Sequence, residues 1–390
     1  MKHSPWKIGA VALAALALAG CAGGATPASD DGDSSEPYTL GVALALTGPT
    51  ASNVVVYREA AELAVEEINA AGGIDGVPLE LAVEDTAGTA DGGVTAMNKL
   101  INLGDVDFAL VSASGPALAA QPAAAQAETV ILCVGSVSPA LLNLPYLYLN
   151  AVNLTRLVPS LADEMWDQGF RDIGFIAGAD PFGEGAFDVL KPYWEELGGT
   201  IVSDQYYDSA TGGDYSSQLL QIKSADPDFV FAVGVGEVLG NIVKQTRSAG
   251  IEVPMGGPLA TGGLLAAAGA DADGFQDVSM ALDPELDSEA AVAFRDGFSA
   301  ASEQAPAWDS GSAYEAVYLY KSLVERAIEE GKDPRSGKVL NELIAGTTFE
   351  DILQGGEVTF LPDHSVSRLI ALRKVENGDF VTEELIEPAE

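Results

Sequence analysis

Apolar and polar residues along positions 38–249 follow a pattern that switches repeatedly between the period of strands and the period of helices. An apolar run over 38–46 predicts a strand, and apolar residues at helical spacing over 51–71 predict the helix after it. Further strands are predicted over 79–84, 108–112, 130–134, 173–177, 200–206 and 229–233, with helices between them. Strands that alternate with helices favour parallel sheets covered on both faces. Because one series of units precedes residue 154 and another follows it, the sequence predicts an α/β fold with two doubly wound parallel-sheet lobes.

The C-terminal part of the chain has a different pattern. Amphipathic helices are predicted over 288–302, 312–330 and 338–345, and strands over 357–361, 368–374 and 380–382. This stretch does not repeat the earlier units, and we therefore expect the chain to return and complete the two lobes.

The N-terminus has the layout of an export signal. A start with Lys2 and Lys7 precedes an apolar run over 8–19, which closes on Leu-Ala-Gly before Cys21. The run is too short to span a bilayer, and its ending resembles the lipobox of bacterial lipoproteins. We expect a signal peptide over 1–20 and diacylation of Cys21; the alternative is a free cysteine behind an ordinary signal. The segment 21–36, rich in Gly, Ser and Asp, is typical of a flexible tether, here an acidic one between a lipid-anchored N-terminus and the folded protein.

Composition narrows the possible classes of protein. The chain has 390 residues, of which 47% are hydrophobic, and this is enough for two domains with separate cores. It carries 58 acidic and 19 basic residues, a formal net charge of −39, and would be repelled by the phosphates of nucleic acids. We interpret the acidity as an adaptation of the surface, for example to a saline medium, and not as a property of a ligand site.

Few residues suited to catalysis or metal binding follow the signal. His364 is the one histidine there, and Cys133, within an apolar strand, is the one cysteine after Cys21. A single loop histidine cannot supply a metal cluster or a catalytic triad, and the sequence contains neither a phosphate-binding loop nor a nucleophile elbow. The sequence therefore predicts no enzyme activity, no metal site and no cofactor.

Small turns that carry hydroxyl groups follow three of the predicted strands. They are Thr47-Gly48, residues 112–115 (Ser-Ala-Ser-Gly) and residues 135–138 (Gly-Ser-Val-Ser). The carboxyl ends of the strands in a doubly wound sheet meet at one edge, where ligands bind, and backbone N–H groups at helix N-termini suit a carboxylate. The serines either bind such a ligand or cap their own helices.

Several segments carry a resemblance to a known family, among them residues 46–49 (LTGP), 60–73 (AAELAVEEINAAGG), 136–141 (SVSPAL), 180–185 (DPFGEG) and 245–250 (QTRSAG). They resemble the leucine/isoleucine/valine-binding family, the type I periplasmic substrate-binding proteins of ABC importers. The resemblance extends from residue 38 to about residue 380. It implies two lobes, 37–153 with 285–355 and 154–284 with 356–390, joined by a hinge of three chain crossings.

The resemblance also implies a ligand site between the lobes. Ser114 matches the serine that holds the ligand carboxylate, and Phe182 matches the aromatic residue of the second lobe. An acidic residue that pairs with a ligand ammonium is expected near residues 257–260, which read Gly-Pro-Leu-Ala; Asp180 is the nearest substitute, unless it caps the helix after it. The missing acid argues against a standard branched-chain amino acid and leaves small apolar carboxylates, amides and other organic ligands open. The expected ligand-binding residues are Thr47, Asn53, Ser112, Ser114, Gly135, Ser136, Asn153, Asp180, Phe182 and Val235.

A two-lobe binding protein acts through a conformational change. Ligand contacts with both lobes exist only in the closed form, and the ligand therefore shifts the equilibrium toward closure. The resemblance implies a monomeric, extracytoplasmic lipoprotein that captures a small amino-acid-like or apolar organic ligand and delivers it to an ABC permease in the membrane. The alternative is an envelope lipoprotein of the same fold that senses its ligand and signals instead of transporting it.

Overall fold

The computed structural model of the protein describes residues 36–210, 213–281, 288–345 and 347–387. The strands in these ranges are β1 (Tyr38–Leu44), β2 (Leu79–Asp85), β3 (Phe108–Val111), β4 (Val130–Cys133), β5 (Leu147–Leu149), β6 (Asp172–Gly178), β7 (Thr200–Tyr207), β8 (Phe229–Ala232), β9 (Met255–Pro258), β10 (Gln276–Met280), β11 (Thr348–Glu350), β12 (Glu357–Thr359), β13 (Ile370–Glu376) and β14 (Asp379–Ile386). The helices are α1 (Ala51–Ala70), α2 (Ala90–Gly104), α3 (Ser114–Gln126), α4 (Leu154–Asp167), α5 (Pro181–Leu197), α6 (Ser216–Ala225), α7 (Glu237–Ser248), α8 (Gly262–Ala268), α9 (Glu289–Ala301), α10 (Trp308–Glu329) and α11 (Gly337–Ile344).

The first sheet consists of five parallel strands in the order β2-β1-β3-β4-β5. Side chains of α1, α9, α10 and α11, such as Phe294 and Tyr320, form the core on one face. Side chains of α2 and α3, such as Met97, form the core on the other face. Because both faces are buried, its inner strands are continuous apolar runs, as in the Phe-Ala-Leu-Val of β3.

The second sheet has seven strands in the order β14-β13-β10-β9-β8-β6-β7. The five strands β6 to β10 are parallel, whereas β13 runs antiparallel to β10 and β14 antiparallel to β13. Helices α4 and α5 form the core on one face, with Trp194 buried there, and α6, α7 and α8 form the core on the other. The sheet is thus a doubly wound parallel sheet extended by an antiparallel C-terminal hairpin.

Both sheets share one strand order, since β7-β6-β8-β9-β10 repeats the arrangement of β2-β1-β3-β4-β5. The chain goes from β1 to β2 on one side of β1 and then to β3 on its other side. It goes from β6 to β7 and then to β8 in the same way. This reversal opens a crevice at the carboxyl ends of the strands, where ligands bind in sheets of this kind. The chain passes between the sheets after β5, after β10 and before β13. The fold is the predicted two-lobed α/β type I arrangement.

A buried ion cluster lies where the chain passes between the sheets. Arg368, which precedes β13, donates from Nη2 to both carboxylate oxygens of Glu315 at 2.7 and 2.6 Å and from Nε to Asp351 at 3.0 Å. Asn150, which follows β5, donates to Glu315 at 3.2 Å. The side chains of Arg368, Glu315 and Asp351 are 0%, 1% and 5% exposed. Burial raises the pKa of Glu315 to about 7, although the charge of Arg368 opposes this.

The structure differs from the sequence-based predictions at several elements. Helix α10 begins at Trp308 and not at the predicted residue 312. The periodicity does not predict β5, β9, β10, β11 or α8, which are short; β9 reads Met-Gly-Gly-Pro and lacks the branched side chains that mark strands. The predicted signal peptide, Cys21 and the tether up to residue 35 lie outside the described residues. None of the described helices is long and apolar enough to cross a membrane.

Candidate functional site

A cavity lies at the carboxyl ends of strands from both sheets. Its volume is about 140 Å³, close to that of an engineered cavity of about 150 Å³ that holds benzene. Seven of the ten expected ligand-binding residues line it: Asn53, Ser112, Ser114, Gly135, Asp180, Phe182 and Val235. The structure therefore brings these seven together, and their part in binding stays a prediction.

The turn after β3 places two serines on the cavity wall. Ala113 between them has φ 67°, a conformation that residues with a Cβ rarely adopt, and α3 begins immediately after it. Ser112 and Ser114 are each only 3% exposed. Ser114 Oγ accepts the backbone N–H of Ser138 at 3.4 Å, whereas Ser112 Oγ has no partner within the described ranges. An unpaired buried hydroxyl costs about 1–3 kcal/mol, so a polar group placed in the cavity beside Ser112 would remove this cost.

Two glycines allow close approaches across the site. Gly135, after β4, has φ +75°, and a Cβ there would overlap the hydroxyl of Tyr57. Gly236, before α7, has φ +51°, and a Cβ there would overlap the side chain of Asn53. Asn53 belongs to α1, which packs on the first sheet, while Gly236 lies in the turn that follows β8 of the second sheet. The Asn53 side chain thus touches backbone on the opposite side of the cavity, and its Nδ2 has no partner among the described residues.

Asp180 is the helix cap that the sequence left open as an alternative. Its Oδ1 accepts the backbone N–H groups of Phe182 at 2.9 Å and Gly183 at 3.0 Å, which begin α5. Its Oδ2 accepts the hydroxyl of Ser209. Because both oxygens already have protein donors, Asp180 is poorly placed to serve as the main partner of a ligand ammonium. Phe182 and Val235 supply apolar surface to the same wall.

The start of α10 contributes residues that the sequence did not identify. Trp308 and Asp309 line the cavity and are 4% and 7% exposed. Asp309 Oδ1 accepts the backbone N–H of Ser310 at 2.7 Å, and burial raises the pKa of Asp309 to about 6 while Arg373 lowers it. The indole Nε1 of Trp308 has no partner in the described part of the chain. Both residues also border a second cavity of about 560 Å³.

A signal for this contribution exists in the sequence. Pro306 shortly precedes Asp309, and a proline followed by an acidic residue is typical of the first turn of a helix. The predicted helix start at residue 312 leaves both residues in a loop. Tyr57, also unpredicted, lines the cavity, and burial followed by the charge of Asp309 raises its pKa well above the usual value.

Three expected residues do not line this cavity. Thr47 is exposed, and its backbone N–H and hydroxyl donate to Asp85 at 3.3 and 2.6 Å. Ser136 is fully buried beside Cys133, whose pKa burial raises to about 12. Asn153 caps α4 by accepting the N–H of Thr155 at 3.0 Å. The strand-end rule placed Thr47 and Ser136 near the edge of the sheet, but local hydrogen bonding or burial holds each of them away from the cavity.

The lining of the cavity suits reversible binding. It combines apolar surface with hydroxyl, amide and indole donors and two acidic side chains, Asp180 and Asp309, and it includes no lysine or arginine. Within the described ranges, no group of three or more histidine, cysteine or acidic residues could hold a metal ion. The lining therefore offers groups for hydrogen bonding and charge pairing.

Comparison with known proteins shows similarity over almost the whole folded chain. A family model described as periplasmic binding protein matches residues 37–379. The leucine-, isoleucine-, valine-, threonine- and alanine-binding protein of Pseudomonas aeruginosa is 25% identical over 349 residues, 87% of this chain and 88% of that protein. The fold is similar to that of a branched-chain amino acid transporter substrate-binding protein from Streptococcus pneumoniae, solved with isoleucine. The two structures superpose with a TM-score of 0.78 at 22% sequence identity, over 91% of this chain and 99% of that chain. An ABC transporter solute-binding protein from R. palustris, solved with benzoate, has a TM-score of 0.79, 22% identity, and coverage of 91% and 97%.

Proposed function

The chain belongs to the periplasmic binding protein family, whose members bind substrates and are not enzymes. From this premise we propose that it is the extracytoplasmic substrate-binding component of an ABC importer. The observation that carries the proposal is the cavity between the strand ends of the two sheets, where the buried Ser112 hydroxyl has no partner among the described residues. The proposed ligand is a small amino-acid-like or apolar organic molecule with a polar head.

The size and lining of the cavity support this class of ligand. A volume of about 140 Å³ suits a molecule with few heavy atoms, and Phe182 offers an aromatic surface for its apolar part. The relatives named above range from a protein with aliphatic amino acids in its name to structures that hold isoleucine and benzoate. Ser112, Ser114 and the turn at Gly135 are the proposed binding site for the polar head.

Capture occurs by closure of two lobes in this proposal. The lobes are 37–153 with 285–355 and 154–284 with 356–390. Separate apolar cores around the first and second sheets support the division into two lobes. The ligand contacts residues of both sheets, such as Ser112 and Phe182, and these contacts exist together only when the lobes are close. The ligand therefore stabilises the closed form by its difference in affinity for the two states.

Delivery and anchoring complete the proposal. The monomeric protein is tethered to the membrane through a diacylated Cys21 and the segment 21–36, and the closed form docks on the permease. The support is the sequence of the N-terminus. Metabolic labelling with radioactive palmitate tests the anchor: label is expected on the wild-type chain and not on a Cys21→Ser chain, and an unlabelled wild-type chain would refute it.

Small-angle X-ray scattering tests the central proposal. A panel of small carboxylates, amides and amino acids, including L-leucine and benzoate, is added to the purified protein. We expect at least one member to reduce the radius of gyration and to raise the melting temperature. If no member of the panel compacts or stabilises the protein, or if a member is chemically converted, the proposed function is wrong.

A further inference from the structure

The start of α10 carries a buried acidic group that forms no salt bridge with a lysine or arginine of the described residues. Asp309 lines the cavity, is 7% exposed, and accepts the backbone N–H of Ser310 at 2.7 Å. The nearby guanidinium of Arg373 donates to Asp277 and to the carbonyl of Ala260. Its charge lowers the pKa of Asp309, but its hydrogen bonds go elsewhere.

Two other polar groups of the cavity lining have no hydrogen-bond partner in the described part of the chain. The hydroxyl of Ser112 and the indole N–H of Trp308 belong to residues that are 3% and 4% exposed, line the cavity, and have no partner for these atoms among the described residues. Buried polar groups in native proteins are nearly always hydrogen-bonded. The indole N–H can only donate, and it requires an acceptor. The carboxylate of Asp309 can only accept, and the donor that it has, the backbone N–H of Ser310, carries no charge.

The balance of charge selects between kinds of ligand. Asp180 and Asp309 are the charged groups in the lining, and it contains no lysine or arginine. A ligand that brings only a carboxylate would add a negative charge to a partly buried site that already holds two, which is unfavourable where the effective dielectric constant is low. A ligand that also brings a protonated nitrogen supplies a cation beside these two acids.

From this arrangement we infer that Asp309 is a specificity-determining residue, which selects ligands that carry a protonated nitrogen beside their carboxylate over analogues that lack it. The inference rests on the proposed function, since it concerns the ligand of the same cavity. Asp309 is an acidic group from a different part of the chain than residues 257–260, which contain none.

The position of Tyr57 supports a short distance between the two charged ends of the ligand. Its hydroxyl lies against Gly135, at the turn proposed for the polar head. Tyr57 and Asp309 line the same cavity, and burial followed by the charge of Asp309 raises the pKa of the Tyr57 hydroxyl. One tyrosine side chain thus links the two ends of the site. Small zwitterions are therefore the probes of choice.

Isothermal titration calorimetry with matched pairs of probes tests the inference. Each pair is an amino acid and its deaminated analogue: L-alanine with propanoate, L-leucine with 4-methylpentanoate, and L-phenylalanine with 3-phenylpropanoate, with benzoate as a further carboxylate. In the wild-type protein we expect at least one amino acid to bind tenfold or more tightly than its analogue. Equal binding within every pair, or binding of the deaminated acids alone, would overturn the inference and leave the proposed function intact.

Variants separate recognition from a structural role. Asp309→Asn keeps the shape of the side chain and should abolish the preference for the amino acid. The variant should bind the deaminated analogue as tightly as the wild-type protein does, or more tightly. Asp91→Asn is the matched control, because Asp91 is also an acid in the first turn of a helix but is exposed and does not line the cavity. If Asp309→Asn weakens both members of a pair equally, Asp309 has only a structural role. If no probe binds or compacts the wild-type protein, the proposed function fails and the inference fails with it.

Discussion

The ion cluster at the chain crossings should be the most sensitive polar feature of the fold. The proposed perturbation is Arg368→Met, which keeps the volume of the side chain roughly constant and removes the guanidinium. Two carboxylates, Glu315 and Asp351, then remain 1% and 5% exposed without their cation. Asp351 retains the N–H groups of Leu353 and Gln354 at 2.9 and 3.0 Å. Among the described residues, Glu315 retains only the side-chain amide of Asn150 as a donor.

The expected loss is large because the partners cannot be hydrated. Removal of one partner from a buried ion pair typically costs about 3–5 kcal/mol of unfolding free energy. The matched control is Lys99→Met, which breaks the exposed pair of Lys99 with Glu84 at 2.8 Å, where the side chains are 50% and 27% exposed. Pairs of that kind contribute about 0.2–1 kcal/mol. The two substitutions should therefore differ by roughly 2–5 kcal/mol.

Urea unfolding followed by circular dichroism measures this difference. The loss for Arg368→Met should be smaller at pH 5 than at pH 7.5, because unpaired buried carboxyls have raised pKa values and become neutral as the pH falls. Adding Glu315→Gln and Asp351→Asn to Arg368→Met should recover more than half of the lost stability, since the charges then disappear together. A loss for Arg368→Met no larger than that for Lys99→Met, or a loss independent of pH, would refute the reasoning.

Three further predictions concern stability and reactivity. Gly93→Ala should destabilise the protein by about 1–3 kcal/mol, because a Cβ would lie 2.5 Å from the carbonyl oxygen of Pro116. The control Gly262→Ala, where a Cβ meets open space on α8, should leave the stability unchanged. Equal urea midpoints for the two variants would contradict this prediction. Burial raises the pKa of Asp107 from 3.8 to about 6, so the folded state binds the proton more tightly and stability should fall as pH rises from about 4 to 6. In Asp107→Asn the urea midpoint should depend less on pH over that range. The same dependence of the midpoint on pH in the variant and the wild type would contradict this prediction. Burial raises the pKa of the Cys133 thiol to about 12, and in a Cys21→Ser chain Ellman's reagent should react only after urea is added; rapid reaction of the folded chain would show that the thiol is accessible.

The parts of the site that local geometry determines could be predicted from the sequence. Ser112, Ser114 and Gly135 directly follow apolar strands, and the carboxyl ends of neighbouring parallel strands meet at one edge of a sheet. Asp180 was open between a ligand role and a capping role, and the structure shows that both of its oxygens accept protein donors. Sequence spacing alone could not show that Ser209 would reach it.

Contributions from distant segments could not be predicted in this way. Asp309 and Trp308 come from a helix far along the chain from the serine turns, and their position depends on α10 packing against α1 under the first sheet. The strands β9 and β10 were also missed, because a central strand such as Met-Gly-Gly-Pro takes its conformation from the neighbours on each side. Tertiary pairing outweighs local preference at such positions.

The late return of the chain to both sheets has a consequence for how the molecule is made. The first sheet is covered on one face by α9, α10 and α11, and the second is completed by β13 and β14 at the end of the chain. A ribosome that adds about 5–20 residues per second would finish the strands of the first sheet long before the helices that cover them. The α2–α3 face of the first sheet can bury its core early, but neither half can bury all of its core until nearly all of the polypeptide is available. Removal of the β13–β14 hairpin should therefore impair folding of the whole protein instead of yielding one intact half.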